Sequence, residues 1–156
     1  MLNAWLGKNF KRIIEIRRWL HQHPEVGFNE HQTSNYCKKL MRDMGYRVVQ
    51  NKKMQTGFYC DYGNSNGPTL AVRCDLDALP IQEINSLSFS SVNEGVSHAC
   101  GHDSHMANIL GLALYISEIK FHWTTTDHAH DYTYILCIRV KIFSATSRNK
   151  IIKWVV

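Results

Sequence analysis

The 156-residue sequence predicts an α/β fold, and three observations carry that prediction. Two amphipathic runs with helical period, residues 6–21 and 29–44, come first. The pattern then changes to short runs at 46–49, 57–62 and 69–74, rich in β-branched and aromatic residues and separated by turn formers. Finally, residues 102–119 return to a helical pattern that is apolar almost all round, as in a helix packed on several sides.

In the first run Phe10, Ile13, Ile14 and Leu20 fall near one face, while Lys11, Arg12, Glu15 and Arg18 face elsewhere. Pro24 ends it, because the residue before a proline is pushed out of helical geometry. Asn29 with Gln32 three positions on reads as a capping box, and Tyr36, Leu40 and Met44 as the buried face of the second helix. Gly45 supplies a left-handed stop. The stretch Gly63-Asn64-Ser65-Asn66-Gly67-Pro68 reads as a turn. Residues 69–74, apolar until their end, read as a central strand covered on both faces. That strand delivers Asp75 and Asp77 at its carboxyl end, where open α/β sheets place their ligand sites. Residues 78–97 form a long loop, a length more often functional than idle.

Composition narrows the function classes. The formal charge of +5 comes from basic residues mixed with apolar positions, as on solvated helix faces, and no basic run is interleaved with stacking aromatics. A nucleic-acid partner is therefore not expected. No stretch approaches the ~18–20 consecutive apolar residues of a membrane span, and the first eight residues lack the apolar core of a signal peptide. The five cysteines are odd in number and lack the spacing of a secreted scaffold, so a reducing, cytoplasmic setting is the economical inference.

Chemistry concentrates in His98-Ala99-Cys100-Gly101-His102-Asp103-Ser104-His105, which holds three imidazoles, a thiol and a carboxylate in eight residues. Thiolate and imidazole suit zinc or a similar transition metal far better than calcium or magnesium. The same residues also fit a polar loop entering a helix, with Asp103 favoured by the helix N-terminus and the histidines merely solvated. Two ligands alone do not complete a tetrahedral site.

Four segments in order resemble one known family: Arg17-Arg18-Trp19-Leu20-His21-Gln22-His23-Pro24-Glu25-Val26-Gly27-Phe28, Thr56-Gly57, Arg73-Cys74-Asp75-Leu76-Asp77-Ala78-Leu79-Pro80-Ile81, and the stretch 98–105. Together, over roughly residues 10–119, they resemble the dinuclear metal-dependent amidohydrolases, a group that includes hippurate hydrolase, N-acyl-amino-acid amidohydrolases and auxin-conjugate hydrolases. The resemblance implies the N-terminal portion of a dinuclear metallohydrolase catalytic domain, with helices packed on a mixed sheet. It implies Cys100 and His102 as metal ligands, with Asp75 or Asp77 supporting a ligand's orientation or charge. His98, Asp103 and His105 are expected to be structural or to support the ligands, while packing and turn formation account for His21 and His23. The implied cofactor is a divalent transition metal, zinc or manganese, two per site. The implied reaction is hydrolysis of the amide of a small N-acyl amino acid by a metal-activated water, with a carboxylate moving the proton. The resemblance carries no reading of the oligomeric state.

The resemblance stops near Lys120. The family's Glu-Glu pair, one base and one ligand, has no counterpart, since Glu118 is the last glutamate. The later histidine ligands and the inserted lid domain are likewise unmatched. The expected organisation is thus residues 1–120 as the first part of the catalytic domain and 121–156 as a divergent tail without family resemblance. In that tail Asp127, His128, His130 and Asp131 could stand in for ligands only by coincidence, and residues 132–140 could form a strand. The apolar residues 151–156 close the sequence. A truncated, frameshifted or unspliced product is one expectation. The alternatives to an active amidohydrolase are accordingly an inactive fragment or a small metal- or partner-binding module.

Overall fold

The computed structural model describes residues 1–50, 55–63, 69–119, 133–138 and 153–154. Its elements run α1 (Leu2–Gln22), α2 (His31–Asp43), β1 (Arg47–Val49), β2 (Phe58–Gly63), β3 (Thr69–Cys74), α3 (His102–Ile119), β4 (Thr133–Ile138) and β5 (Lys153–Trp154).

Helix α1 begins four residues before the predicted start and buries Ile16 and Leu20, with Ile13 half-covered. Phe10, expected on that face, is 58% exposed. At the far end the His23 amide donates to the Trp19 and Leu20 carbonyls, and buried Pro24 prevents another turn. Helix α2 is not capped by Asn29. The Glu25 carboxylate reaches in from outside, accepting from the Gln32 and Thr33 amides at 3.1 and 2.7 Å. Cys37 and Met41, rather than Tyr36 and Leu40, are fully buried on α2. Tyr36 instead stacks on Trp19, with ring centroids 3.7 Å apart. Gly45, at φ +86°, closes α2 as expected. The Gly45 amide bonds the Arg42 carbonyl and the Tyr46 amide the Met41 carbonyl, the paired pattern of a Schellman stop.

The sheet is mixed, in the order β1-β2-β4-β3-β5. Strand β2 is antiparallel to both β1 and β4, whereas β3 is parallel to β4 and β5. The strand expected at 132–140 is β4, and it lies in the middle of the sheet, paired with Phe58–Gly63 on one side and Thr69–Cys74 on the other. β3 is interior as predicted, and it buries a residue on each face: Ala71 on one, where Arg73 nearer the end is exposed, and Cys74 on the other, beside the half-buried Val72. The turn assigned to 63–68 lies outside the described residues beyond Gly63.

One core joins the helices to the sheet: Leu20 from α1, Cys37 and Met41 from α2, Phe58 and Cys60 from β2, and Met106 and Leu110 from α3. Helix α3 is packed on most sides, as its composition demands, with Leu112 the large apolar side chain left most open at 38% exposure. A Cβ on Gly111 would come within 3.0 Å of Ile13 Cδ1, so α1 and α3 approach as closely as a glycine allows. The Tyr46 hydroxyl donates to the Ala113 carbonyl at 3.1 Å, and the Trp5 indole to Glu118 at 2.6 Å.

The unit β3–α3–β4 is a parallel pair joined through a helix. A helix that makes such a crossover runs back against its strands, so its first turn stands near the carboxyl end of the preceding strand. This topology brings Asp75 and Asp77, which follow β3, to Cys100 and His102, which open α3.

Candidate metal centre

Gly101, at φ +75°, turns the chain from the loop into α3, a conformation that a side-chained residue adopts only under strain. Its carbonyl accepts the Ser104 and His105 amides at 3.0 and 3.2 Å, the first bonds of the helix. Cys100 lies just before this turn and is exposed. His102 is held firmly: its Nδ1 lies 2.8 Å from the Asp77 carbonyl oxygen and 3.2 Å from Asp77 Oδ1. A carbonyl oxygen only accepts, so Nδ1 carries the proton and Nε2 keeps its lone pair. A backbone carbonyl on one ring nitrogen is the usual way a ligating histidine has its other nitrogen aimed.

The two aspartates after β3 differ. Asp75 is drawn into an ion pair with Arg73, while Asp77 serves His102. The turn before α2 packs beside Asp77: Val26 bridges Ala78, and a Cβ on Gly27 would lie 3.8 Å from Asp77 Oδ2. Phe28 in that turn has φ +68°, a strained value for a bulky residue. Glu30, fully buried, holds it there by accepting the Phe28 amide at 2.8 Å and the Thr56 hydroxyl at 2.6 Å.

The reading of merely solvated histidines fails for His98. It is 5% exposed, and neither ring nitrogen has a hydrogen-bond partner. Burial pushes its pKa down to about 4, although the nearby Asp103 charge works the other way. His105 is exposed, with its ring centroid 5.9 Å from that of His102. Asp103 has no exposure at all. Its Oδ2 lies 2.8 Å from both Arg17 Nε and His21 Nδ1. His23 behaves as packing predicts, stacked on Trp19 and bonded to the Trp19 carbonyl. His21 does far more than pack: its Nε2 lies 3.1 Å from Glu83 Oε1.

Arg17, Glu25, Glu30 and Glu83 were not marked by the sequence. Arg17 and His21 do share a helix face four residues apart, but their acidic partners lie far along the chain.

Burial pushes the Glu83 carboxyl up, but the Ser91 amide, the His21 ring and the Arg17 charge outweigh it and leave it below its ordinary value. A carboxyl depressed in the folded state stabilises the fold above its unfolded pKa, and that contribution is lost as pH falls through the folded value. Urea titrations between pH 7 and pH 3 are therefore expected to show an acid loss of stability in the wild type that is smaller in Glu83→Gln.

Among the described residues no group of three or more His, Cys, Asp or Glu side chains converges to hold a metal. Asp127, His128, His130 and Asp131 lie outside those residues. Cys100 and His102 thus offer a thiol sulfur and an aimed imidazole nitrogen, donors that fit zinc or a related transition metal as part of a coordination shell. The thiols also separate by environment. Cys37, Cys60 and Cys74 are buried, and burial with the neighbouring Cys60 pushes Cys37 up to about 12. Brief alkylation of the native chain, read by peptide mass spectrometry, is expected to modify Cys100 and spare these three.

Residues 71–130 match the pattern of peptidase family M20/M25/M40. An N-acetyl-L-cysteine deacetylase of Bacillus subtilis is 42% identical over 109 residues, covering 69% of this chain and 26% of that protein. An N-acyl-L-amino acid amidohydrolase of Geobacillus stearothermophilus is 39% identical over 108 residues, covering 69% and 29%. The crystal structure of the Bacillus subtilis YXEP protein, a dinuclear metal binding peptidase from the M20 family, superposes with a TM-score of 0.71 at 33% identity, covering 81% of this chain and 34% of that one. The chain is thus a relative of the M20 metal-dependent amidohydrolases and peptidases, matching their N-terminal part. It spans about a quarter to a third of the length of these relatives.

No helix among the described residues is long and apolar enough to cross a membrane.

Proposed function

We propose that this chain is the N-terminal part of a cytoplasmic, metal-dependent hydrolase that cleaves the amide bond of small N-acyl amino acids, with Cys100 and His102 as ligands of zinc or manganese. One observation carries the reading: the Asp77 carbonyl takes Nδ1 of His102, leaving Nε2 for a metal at the helix mouth where Cys100 is exposed. The substrate class is supported by the two relatives that act on N-acetyl-L-cysteine and N-acyl-L-amino acids. A bound metal supplies Lewis-acid polarisation of the substrate carbonyl and a lowered pKa for water. The chain's own residues orient: Asp77 aims His102, the Gly27 turn backs Asp77, and Arg73 holds Asp75 aside. His98, Asp103 and His105 support the mouth rather than ligate, and neither nucleic acid nor membrane is part of this reading.

A second reading is favoured by the count of two donors among the described residues: the 156-residue chain holds metal weakly and does not turn over. Loss of a general base alone costs on the order of a hundred- to ten-thousand-fold. One experiment separates these readings. The purified chain is loaded with zinc or manganese, bound metal is counted, and hydrolysis of N-acetyl-L-cysteine and N-acetyl-L-methionine is followed in wild type and Cys100→Ser. Metal with turnover that Cys100→Ser abolishes supports the hydrolase, and metal without turnover supports the second reading. A wild type that binds no metal through Cys100 overturns both.

A further inference from the structure

The loop between β3 and α3 leaves and rejoins the fold at one point, where Leu79 and Ser97 exchange both backbone hydrogen bonds at 3.0 Å. Between those ends it is fastened to the end of α1. The Val92 amide donates to the Gln22 carbonyl at 2.9 Å and the Asn93 side-chain amide to the Pro24 carbonyl at 2.8 Å. The Phe89 ring lies under the Arg17 and Arg18 guanidinium groups, 5.5 and 4.8 Å from its centroid. Within this strap Glu83, its side chain 7% exposed, takes the Ser91 amide at 2.7 Å with one oxygen and faces His21 with the other.

His21 therefore stands between two buried carboxylates, Glu83 at Nε2 and Asp103 at Nδ1. Each ring nitrogen of His21 is thus engaged by a carboxylate oxygen, and the ring ties the strap to the first turn of α3. Asp103 immediately follows His102 in the first turn of α3. First-turn amides lack intrahelical acceptors, so the set of that turn depends on what grips it from outside. Asp77 grips His102, and α1 grips Asp103.

We propose that Glu83 and His21 are positioning residues, which act through Asp103 to fix the direction in which His102 presents Nε2. The proposal rests on the reading of His102 as a ligand, but its first readout needs no metal. In the metal-free protein the His102 ring, followed by ¹⁵N NMR, is expected to show protonated Nδ1 and bare Nε2. In Glu83→Gln, which keeps the side-chain volume, and in His21→Leu, the two tautomers mix. With Co²⁺ as the probe, the same variants bind about tenfold or more weakly, the usual cost of losing a ligand's supporting contacts.

Met41→Ala, a destabilising change in the core away from the mouth, controls for lost stability alone and keeps both the ring spectrum and the Co²⁺ affinity. Glu83→Gln decides the matter if His21→Leu fails to fold. Wild-type tautomers in Glu83→Gln overturn the proposal, whatever that variant's melting temperature. A wild type that takes up no Co²⁺ overturns the metal reading only, and the ring spectra still settle the positioning role.

Discussion

Replacing Asp103 with alanine is expected to lower the unfolding free energy by about 3–5 kcal/mol, read as a fall in the urea midpoint at an unchanged m-value. The carboxylate is wholly buried and meets Arg17 Nε and His21 Nδ1 at 2.8 Å each. Truncation takes the hydrogen-bond partner from the His21 ring and the opposing charge from the Arg17 guanidinium, and the penalty of leaving those groups uncompensated dominates the loss. Asp103→Asn tests this account, because it keeps the volume and one acceptor while removing the charge. Its cost is expected to be smaller than alanine's but still clear, since the charge opposite Arg17 is gone while the acceptor for His21 remains. The free Oδ1 sharpens the comparison. It has no partner in the wild type, so turning the amide nitrogen to that side costs no existing bond. An alanine variant within ±0.5 kcal/mol of wild type would place Asp103 among ordinary surface positions and contradict its burial.

Local rules were readable where the cause was local. The bounds of α3, the stop at Pro24 and the Gly45 cap depend on residues within one or two turns of each other, and each is found where predicted. The cap of α2 was not readable, because the acceptor is Glu25, seven and eight residues from the amides it bonds and outside any i, i+3 box. The buried face of α2 was misread by one position. Neighbouring residues on a helix differ by about 100°, and Tyr36 competes with Cys37 for the core until Trp19 offers the tyrosine ring a partner of its own. The site divides in the same way. Cys100 and His102 stand out because ligand types cluster in sequence. The His21 contacts cross 82 residues to Asp103 and 62 to Glu83, and no spacing rule spans such distances. Asp75 and Asp77 looked equivalent at the strand end until Arg73 claimed the first and His102 the second.

Substituting Cys100 by serine is expected to leave the metal-free melting temperature near the wild-type value and to remove the rise that zinc produces. Cys100 is exposed, and a surface exchange of sulfur for oxygen usually changes stability by no more than about 0.5 kcal/mol. A metal that binds only the folded chain, present at a hundred times its dissociation constant, adds about 2.7 kcal/mol. For a chain of this size that corresponds to roughly 5–11 °C. Serine offers a hard, protonated oxygen in place of a soft thiolate, so the preference for zinc goes with it. Cys37→Ser gives the converse result. That thiol has no exposure, and a hydroxyl in its place is buried in the core, so the metal-free melting temperature falls while the zinc-induced rise persists. The pair of variants separates fold from site using one observable. An equal zinc-induced rise in Cys100→Ser and wild type would move the metal away from the mouth of α3. The aimed Nε2 of His102 would then lack the sulfur that makes a metal there chemically reasonable.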